Sequence, residues 1–274
     1  MTSSNTPRFE AMTTGVLLDR AFRLYAQNFS LLLGITAAAY VPLYAIMILV
    51  GSSVTSDVGF RENRMMAIVT QVVFFILWST LAFPIATAAG TYAISERYLG
   101  NNVTTGKALG RALRRFWTLS LAQISATMRV FFGILLLVVP GILWSLSYAL
   151  IVPVVLVEGH RAAPSLRRSW DLVKGYRKKL FGIFLIVYVL QWLLSFGVGS
   201  LTEAIFAWDS NTANIMESAV SNLLSICATP FGIVADILLY YDLRIRKEGF
   251  DLEMLSRALS ASPERSAAAP IPGS

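Results

Sequence analysis

Charge is scarce in this sequence, and so are the side chains on which most thiol and metal chemistry depends. Of 274 residues only 14% are charged, against about 25% in an ordinary soluble domain. The single cysteine, Cys227, excludes a disulfide within the chain and any multi-cysteine metal site. The single histidine, His160, excludes every catalytic or metal site that needs two imidazoles. What is abundant is apolar: 55% of residues are hydrophobic and the mean hydropathy is +0.62. They gather in long runs rather than alternating faces, which excludes a soluble enzyme and places the chain in the membrane class.

A helix needs about 20 mostly apolar residues to cross the hydrocarbon core. Phe29–Val50 meets that length. A second run starts near Met66 and continues through Pro84 to about Ala93, long enough to span with a kink at the proline. Phe116–Val157 is too long for one crossing and carries Pro140-Gly141 near its middle, so the spacing predicts a tight hairpin, Phe116–Val139 and Ile142–Val157. Leu180–Phe206 is the fifth span, and about Ala219–Tyr241, containing Pro230, is the sixth.

Lys and Arg are retained in cytoplasmic loops. With six spans, segments 1–28, 94–115, 158–179 and 242–274 fall on one side and hold 20 of the 23 basic residues, leaving Arg61, Arg64 and the intramembrane Arg129. Both termini are therefore expected in the cytoplasm. Residues 1–28 lack an early apolar core and no convincing cleavage site follows Phe29–Val50, so this span is expected to stay as an anchor rather than act as a signal peptide. Residues 1–259 read as one six-span membrane domain, and 260–274, rich in Ala, Ser and Pro, as a disordered cytoplasmic tail.

Three cytoplasmic segments share a pattern, each an amphipathic helix leading into an odd-numbered span. From Thr14 to Asn28, Leu18, Phe22 and Tyr25 oppose Asp19, Arg20 and Arg23. After an N-cap at Thr104 or Thr105, Leu109, Leu113 and Phe116 oppose Lys107, Arg111, Arg114 and Arg115. From Pro164, suited to a first helical turn, Leu166, Trp170 and Val173 oppose Arg167, Arg168, Asp171 and Lys174. Residues 18–22, 109–113 and 166–170 align in one register, which predicts three units of interfacial helix plus two-span hairpin. A helix with one apolar and one basic face lies in the membrane interface.

Three stretches carry a family resemblance: Gly90-Thr-Tyr-Ala-Ile-Ser-Glu-Arg-Tyr-Leu-Gly100, Glu158 to Gly175 with its Arg167-Arg-Ser-Trp170 core, and Tyr240-Tyr-Asp-Leu-Arg244 continuing to Glu253. Over most of residues 14–255 the chain resembles the glycerophosphoryl diester phosphodiesterase membrane-domain family of bacterial six-span proteins. The resemblance implies an all-α membrane region, sometimes fused to a phosphodiesterase domain and often standing alone. A phosphodiesterase barrel needs roughly 250 residues, and no soluble stretch here exceeds a small fraction of that, so the family's catalytic roles have no positions to occupy.

The remaining chemical candidates have structural readings. His160, beside Glu158, has no metal-ligand partners at helical spacing and reads as an interfacial polar residue. Cys227 reads as packing within a span, and Gly197 and Gly199 lack the strand and lysine of a nucleotide loop. Ala82, Ala86, Gly90 and Ala93 form a small-residue stripe that lets helices approach closely. Arg129 and Asp236 are the two intramembrane charges, each costing on the order of 2.5–3.5 kcal/mol at a helix centre. At 1.5 Å per residue Arg129 lies about 20 Å beyond Phe116 and Asp236 about 7–8 Å before Tyr241, a mismatch that disfavours direct pairing. Tyr240 and Tyr241 suit the headgroup belt, Asp242 and Arg246 an i,i+4 pair, Gly249 a helix stop, and Asp251 the cap of a short helix through Leu259.

The expectation is an all-α, polytopic, non-enzymatic protein of the bacterial inner membrane without cofactor or metal. It organises membrane components or engages anionic lipid headgroups, or another membrane protein rather than nucleic acid, through Arg111, Arg114, Arg115, Arg167, Arg168, Lys174 and Lys178. The alternative is a transporter or permease component, supported by the repeat, by the prolines at 84, 140 and 230, and by Arg129 and Asp236.

Overall fold

The computed structural model describes residues 12–55, 64–98, 100–205 and 210–249, and among these there is no strand. The helices are α1 (Thr14–Gln27), α2 (Phe29–Thr55), α3 (Arg64–Leu77), α4 (Phe83–Tyr98), α5 (Thr105–Arg114), α6 (Phe116–Leu136), α7 (Val138–Tyr148), the single turn α8 (Ile151–Pro153), α9 (Ala162–Val173), α10 (Arg177–Ile205) and α11 (Ser210–Glu248). Six stretches are long and apolar enough to cross a membrane: Phe29–Ile46, Ile68–Tyr98, Phe116–Leu136, Val138–Glu158, Arg177–Ile205 and Ala219–Glu248. Their outer surfaces carry exposed Phe75, Phe131, Leu136, Trp192 and Phe196, as a hydrocarbon-facing wall requires. The expected tail 260–274, the expected helix from Asp251 and the loop residue Arg61 lie outside the described residues.

The three-unit pattern is visible in the backbone. Helices α1, α5 and α9 precede the first, third and fifth spans, and Asn28 and Arg115 form nearly identical elbows at φ −116°, ψ 21° and φ −105°, ψ 6°. The third elbow is built differently, around Gly175 at φ 94°. Each even-numbered span runs into a glycine at positive φ, Gly100, Gly159 or Gly249, a conformation that costs glycine no Cβ clash.

The inward faces of the short helices differ from those expected. In α1 the buried residues are Leu17 and Ala21, while Phe22 is 62% exposed; the packed face is turned by about 100°, one residue along the helix. In α5 the chain packs through Ala108 and Ala112, leaving Leu113 57% exposed. Ala21, Ala108 and Ala112 bring these helices close to the spans, while Phe22 and Leu113 remain outside. In α9 Leu166 and Val173 are buried as expected, together with Ser165, Ser169 and Leu172.

The hairpin between the third and fourth spans turns earlier than expected. Leu137 alone is extended, at φ −163°, ψ 142°, and Pro140 and Gly141 already belong to α7. A proline within the first turn forfeits no intrahelical hydrogen bond. The role of Gly141 is contact: a Cβ there would lie 2.8 Å from the backbone nitrogen of Ile134, and one on Gly133 would lie 3.0 Å from Gly141 Cα.

Two other prolines interrupt the hydrogen bonding of their spans, and neighbouring helices supply donors there. Five π-helical residues, Trp78–Ala82, precede Pro84, and Ser120 of α6 donates to the Thr80 carbonyl at 3.4 Å. That carbonyl is four residues before the proline that cannot donate to it. Likewise the Ile226 carbonyl, four residues before Pro230, accepts from the Thr36 hydroxyl at 3.0 Å, and the next carbonyl, of Cys227, accepts from Tyr25 at 2.9 Å. In lipid the freed backbone groups must find such partners. The small-residue stripe of the second span packs as expected: Ala82, Ala86 and Ala93 are buried, and a Cβ on Gly90 would meet Ile233 at 3.0 Å.

Candidate functional site

All three motif stretches meet at the end of the bundle where α1, α5 and α9 lie. Glu158 ends the fourth span and accepts two hydrogen bonds from Arg168 of α9, Nε at 2.8 Å and Nη2 at 3.0 Å, plus one from the Tyr240 hydroxyl at 2.9 Å. Arg168 also bridges to Glu248 of α11 at 2.5 Å, and Arg244 donates to the same carboxylate at 3.0 Å. The hydrogen bond from Arg168 to Glu158 holds its guanidinium above the ordinary arginine range, against the opposing effect of burial. The neighbouring motif residue Ser169 mends a break in the return limb: its hydroxyl donates to the Ser147 carbonyl at 2.8 Å and accepts from the Leu150 amide at 3.2 Å.

Asp242 anchors a second knot. It is fully buried and accepts from Lys179 of α10 at 2.6 Å, from Arg246 at 3.0 Å, and from the Met12 amide at 2.6 Å. Lys179 and Arg246 also donate to the Met12 carbonyl, at 2.6 and 2.8 Å. The expected Asp242–Arg246 pair is present, within a larger network that ties the start of the described chain to α10 and α11. Tyr240 and Tyr241 are buried rather than set in a headgroup belt. The Tyr241 hydroxyl lies 2.5 Å from Ser95 Oγ, and its ring stacks on Tyr98 at 5.5 Å. The helix continues seven residues past Tyr241 to Glu248, so the tyrosines sit inside the bundle.

This sorts the basic residues singled out from the sequence. Arg111, Arg114, Arg167, Lys174 and Lys178 are exposed. Arg115 is half-buried and donates to the Gly159 carbonyl at 3.3 Å. Arg168 is turned inward onto Glu158 and Glu248 and is not part of an outward basic face. Lys179 and Glu248, which the sequence reading passed over, are essential to the two knots. The signal for Glu248 was its repeat with Glu158, each a glutamate placed immediately before a left-handed glycine.

Within the spans, Arg129 and Asp236 do not pair with each other. The Arg129 guanidinium lies 5.8 Å from the Tyr148 ring centroid, whereas the Oδ1 of Asp236 is buried without a hydrogen-bond partner. Asp236 lies five residues before Tyr241, as expected, and α11 continues to Glu248, about 18 Å beyond Asp236 at 1.5 Å per residue. Asp236 and Tyr148 line one cavity of about 340 Å³, whose polar lining includes Thr87, Thr91, Gln123 and Thr127. The i,i+4 spacing of each pair, 87 with 91 and 123 with 127, was a legible polar stripe within apolar spans. His160 Nδ1 lies 3.5 Å from Glu158, and among the described residues no group of three or more His, Cys, Asp or Glu is placed to hold a metal ion.

Residues 65–237 match the family described as "Domain of unknown function (DUF7847)". The chain is similar to UPF0259 membrane protein plu2479 of Photorhabdus laumondii, 28% identical over 126 residues that cover 46% of this chain and 48% of the relative. The chain thus spans about half the length of the curated relative it matches. No solved structure matches. These findings support a membrane protein of a family without an assigned activity, and not the glycerophosphoryl diester phosphodiesterase membrane-domain family that the motifs resemble.

Proposed function

The chain belongs to the DUF7847 family, and we propose that it works without catalysis, as an integral protein of the bacterial inner membrane whose basic end faces the cytoplasm and engages anionic lipid. Through those lipids it organises neighbouring membrane components. The observation that carries this reading is the outer surface of α5 and the start of α6. Lys107, Arg111 and Arg114 are exposed there beside Leu113, at 57%, and Trp117, at 76%. Apolar and basic side chains turned outward together, on a helix that packs inward through alanine, fit the boundary between acyl chains and acidic headgroups. Each basic residue near an anionic leaflet contributes about 1 kcal/mol, and Arg167, Lys174 and Lys178 add to the same end. A kinship to the phosphodiesterase membrane-domain family is supported by the motif stretches alone.

The test is lipid retention. The chain is purified from membranes of mixed composition, and bound lipid is identified by mass spectrometry for the wild type and for a variant with Arg111, Arg114, Arg167, Lys174 and Lys178 changed to glutamine. A several-fold loss of acidic phospholipid, with the spans still inserted, supports the reading; unchanged retention overturns it. The second reading, a transporter or permease component, is favoured by the intramembrane cavity at Asp236. It expects solute flux in reconstituted vesicles to fall on Asp236→Asn and to survive in the glutamine variant.

A further inference from the structure

The cavity beside Asp236 is walled by five separate elements: α4 through Thr87 and Thr91, α6 through Gln123, the return limb through Tyr148, α10 through Phe184, and α11 through Ile233 and Asp236 itself. Its volume of about 340 Å³ is within the range of small-ligand sites. A carboxylate at this depth is expensive and normally has a partner, yet Asp236 Oδ1 is buried with none. Arg129 is outside the lining, with its guanidinium 5.8 Å from the ring centroid of Tyr148, which is itself part of the wall. The cavity therefore has an unpaired acceptor on its wall and a guanidinium one aromatic ring away.

We propose that this cavity is a binding site for a zwitterionic primary amine, with the ammonium on Asp236 and the acidic group directed toward Arg129. An ammonium brings three donors to the carboxylate and to the threonine hydroxyls, and charge-assisted bonds of this kind are the strong ones in a site away from water. Tyr148 and Phe184 add aromatic rings to the wall, a surrounding that suits a cation. The same chemistry is carried by the ethanolamine phospholipid headgroup and by a free solute such as phosphoethanolamine. The inference does not rest on lipid binding at the basic end.

The full chain in lipid nanodiscs, in wild-type and variant form, tests it by native mass spectrometry with three probes: an ethanolamine phospholipid, the choline phospholipid of the same acyl chains, and free phosphoethanolamine. Wild type is expected to hold an ethanolamine probe at least tenfold more tightly than the choline lipid, whose quaternary nitrogen has no N–H to donate. Retention of the lipid alone assigns the headgroup as the source, and binding of the free compound assigns a solute. Asp236→Asn is expected to abolish the preference, and Ala126→Leu, which fills the cavity from α6 and leaves Asp236 in place, to weaken it as well. The glutamine variant of the basic end keeps the preference even where it loses acidic lipid. Equal binding of ethanolamine and choline lipids, no binding of either ethanolamine probe, or an Asp236→Asn protein that binds as the wild type does would each overturn the proposal.

Discussion

Arg168 meets Glu158 in a two-pronged contact, Nε at 2.8 Å and Nη2 at 3.0 Å, while its remaining nitrogen reaches Glu248 on another helix. One guanidinium thereby fastens α9 to the ends of the fourth and sixth spans. The side chains of Glu158 and Glu248 are 11% and 27% exposed, so removing Arg168 leaves two carboxylates close together and poorly hydrated.

Arg168→Gln is expected to destabilise the protein by roughly 2–3 kcal/mol, below the 3–5 kcal/mol of a fully buried pair because some solvent reaches the site. Arg168→Lys recovers only part of this, since an ammonium cannot reproduce the planar fork. The neighbouring Arg167→Gln, on the exposed side, leaves stability within about 0.5 kcal/mol. Thermal unfolding in detergent compares the three. Equal losses for the two arginines would show that the contact with Glu158 is not structural.

How much of this was legible in the sequence follows from which interactions are local. The spans, the three leading helices, the interruption before Pro84 and the Asp242–Arg246 pair depend on periodicity, proline chemistry or i,i+4 spacing, and all can be read along one segment. The burial of Tyr240 and Tyr241 cannot, because it depends on Ser95, Tyr98 and Glu158 arriving from other helices. The same holds for Arg168: at α9 it looks like one more residue of a basic face, and only the distant Glu158 and Glu248 turn it inward. The shift of the hairpin to Leu137 has a local cause that the dipeptide Pro140-Gly141 obscured: Pro140 tolerates the first turn of α7, and Gly141 serves its close approach to Gly133.

That approach is testable. Gly141→Ala places a methyl group 2.8 Å from the Ile134 backbone nitrogen, so the two limbs must separate, at an expected cost of about 1–3 kcal/mol for overpacking. Gly197→Ala, where nothing lies within 4 Å of the added Cβ, is expected to be neutral or slightly stabilising in its helix. Unfolding midpoints of the two variants separate crowding from glycine's backbone entropy. A neutral Gly141→Ala would mean that the hairpin is not held by glycine contact.

Orientation is checked by labelling. In a Cys227→Ala background, cysteines at Lys107 and Lys174, both exposed at the basic end, are expected to react with an impermeant reagent only after the inner leaflet is opened. A cysteine at the exposed Glu203, near the opposite end, is expected to react in intact cells. Ser169 is unsuitable as a reporter because it is fully buried against Ser147 and Leu150. External reaction at Lys174 would reverse the assignment of the basic end to the cytoplasm and with it the role proposed for its lipids.

The proline repairs make the sharpest energetic prediction. Pro230 cannot donate to the Ile226 carbonyl, and the Thr36 hydroxyl does so from α2 at 3.0 Å. Thr36→Val removes the donor at nearly constant volume and leaves an acceptor without its partner, at an expected cost of about 1–2 kcal/mol. In a Pro230→Ala background the regained amide can return to the Ile226 carbonyl within α11, so the same Thr36→Val change is expected to cost much less. The double-mutant cycle therefore isolates the repair: a coupling energy of about 1 kcal/mol is expected, near the upper part of the range for hydrogen bonds between membrane helices. Additive effects would show that the Thr36 hydroxyl is serving its own helix through the Leu32 carbonyl, which it also contacts at 3.0 Å, and that α11 accommodates Pro230 without help from α2.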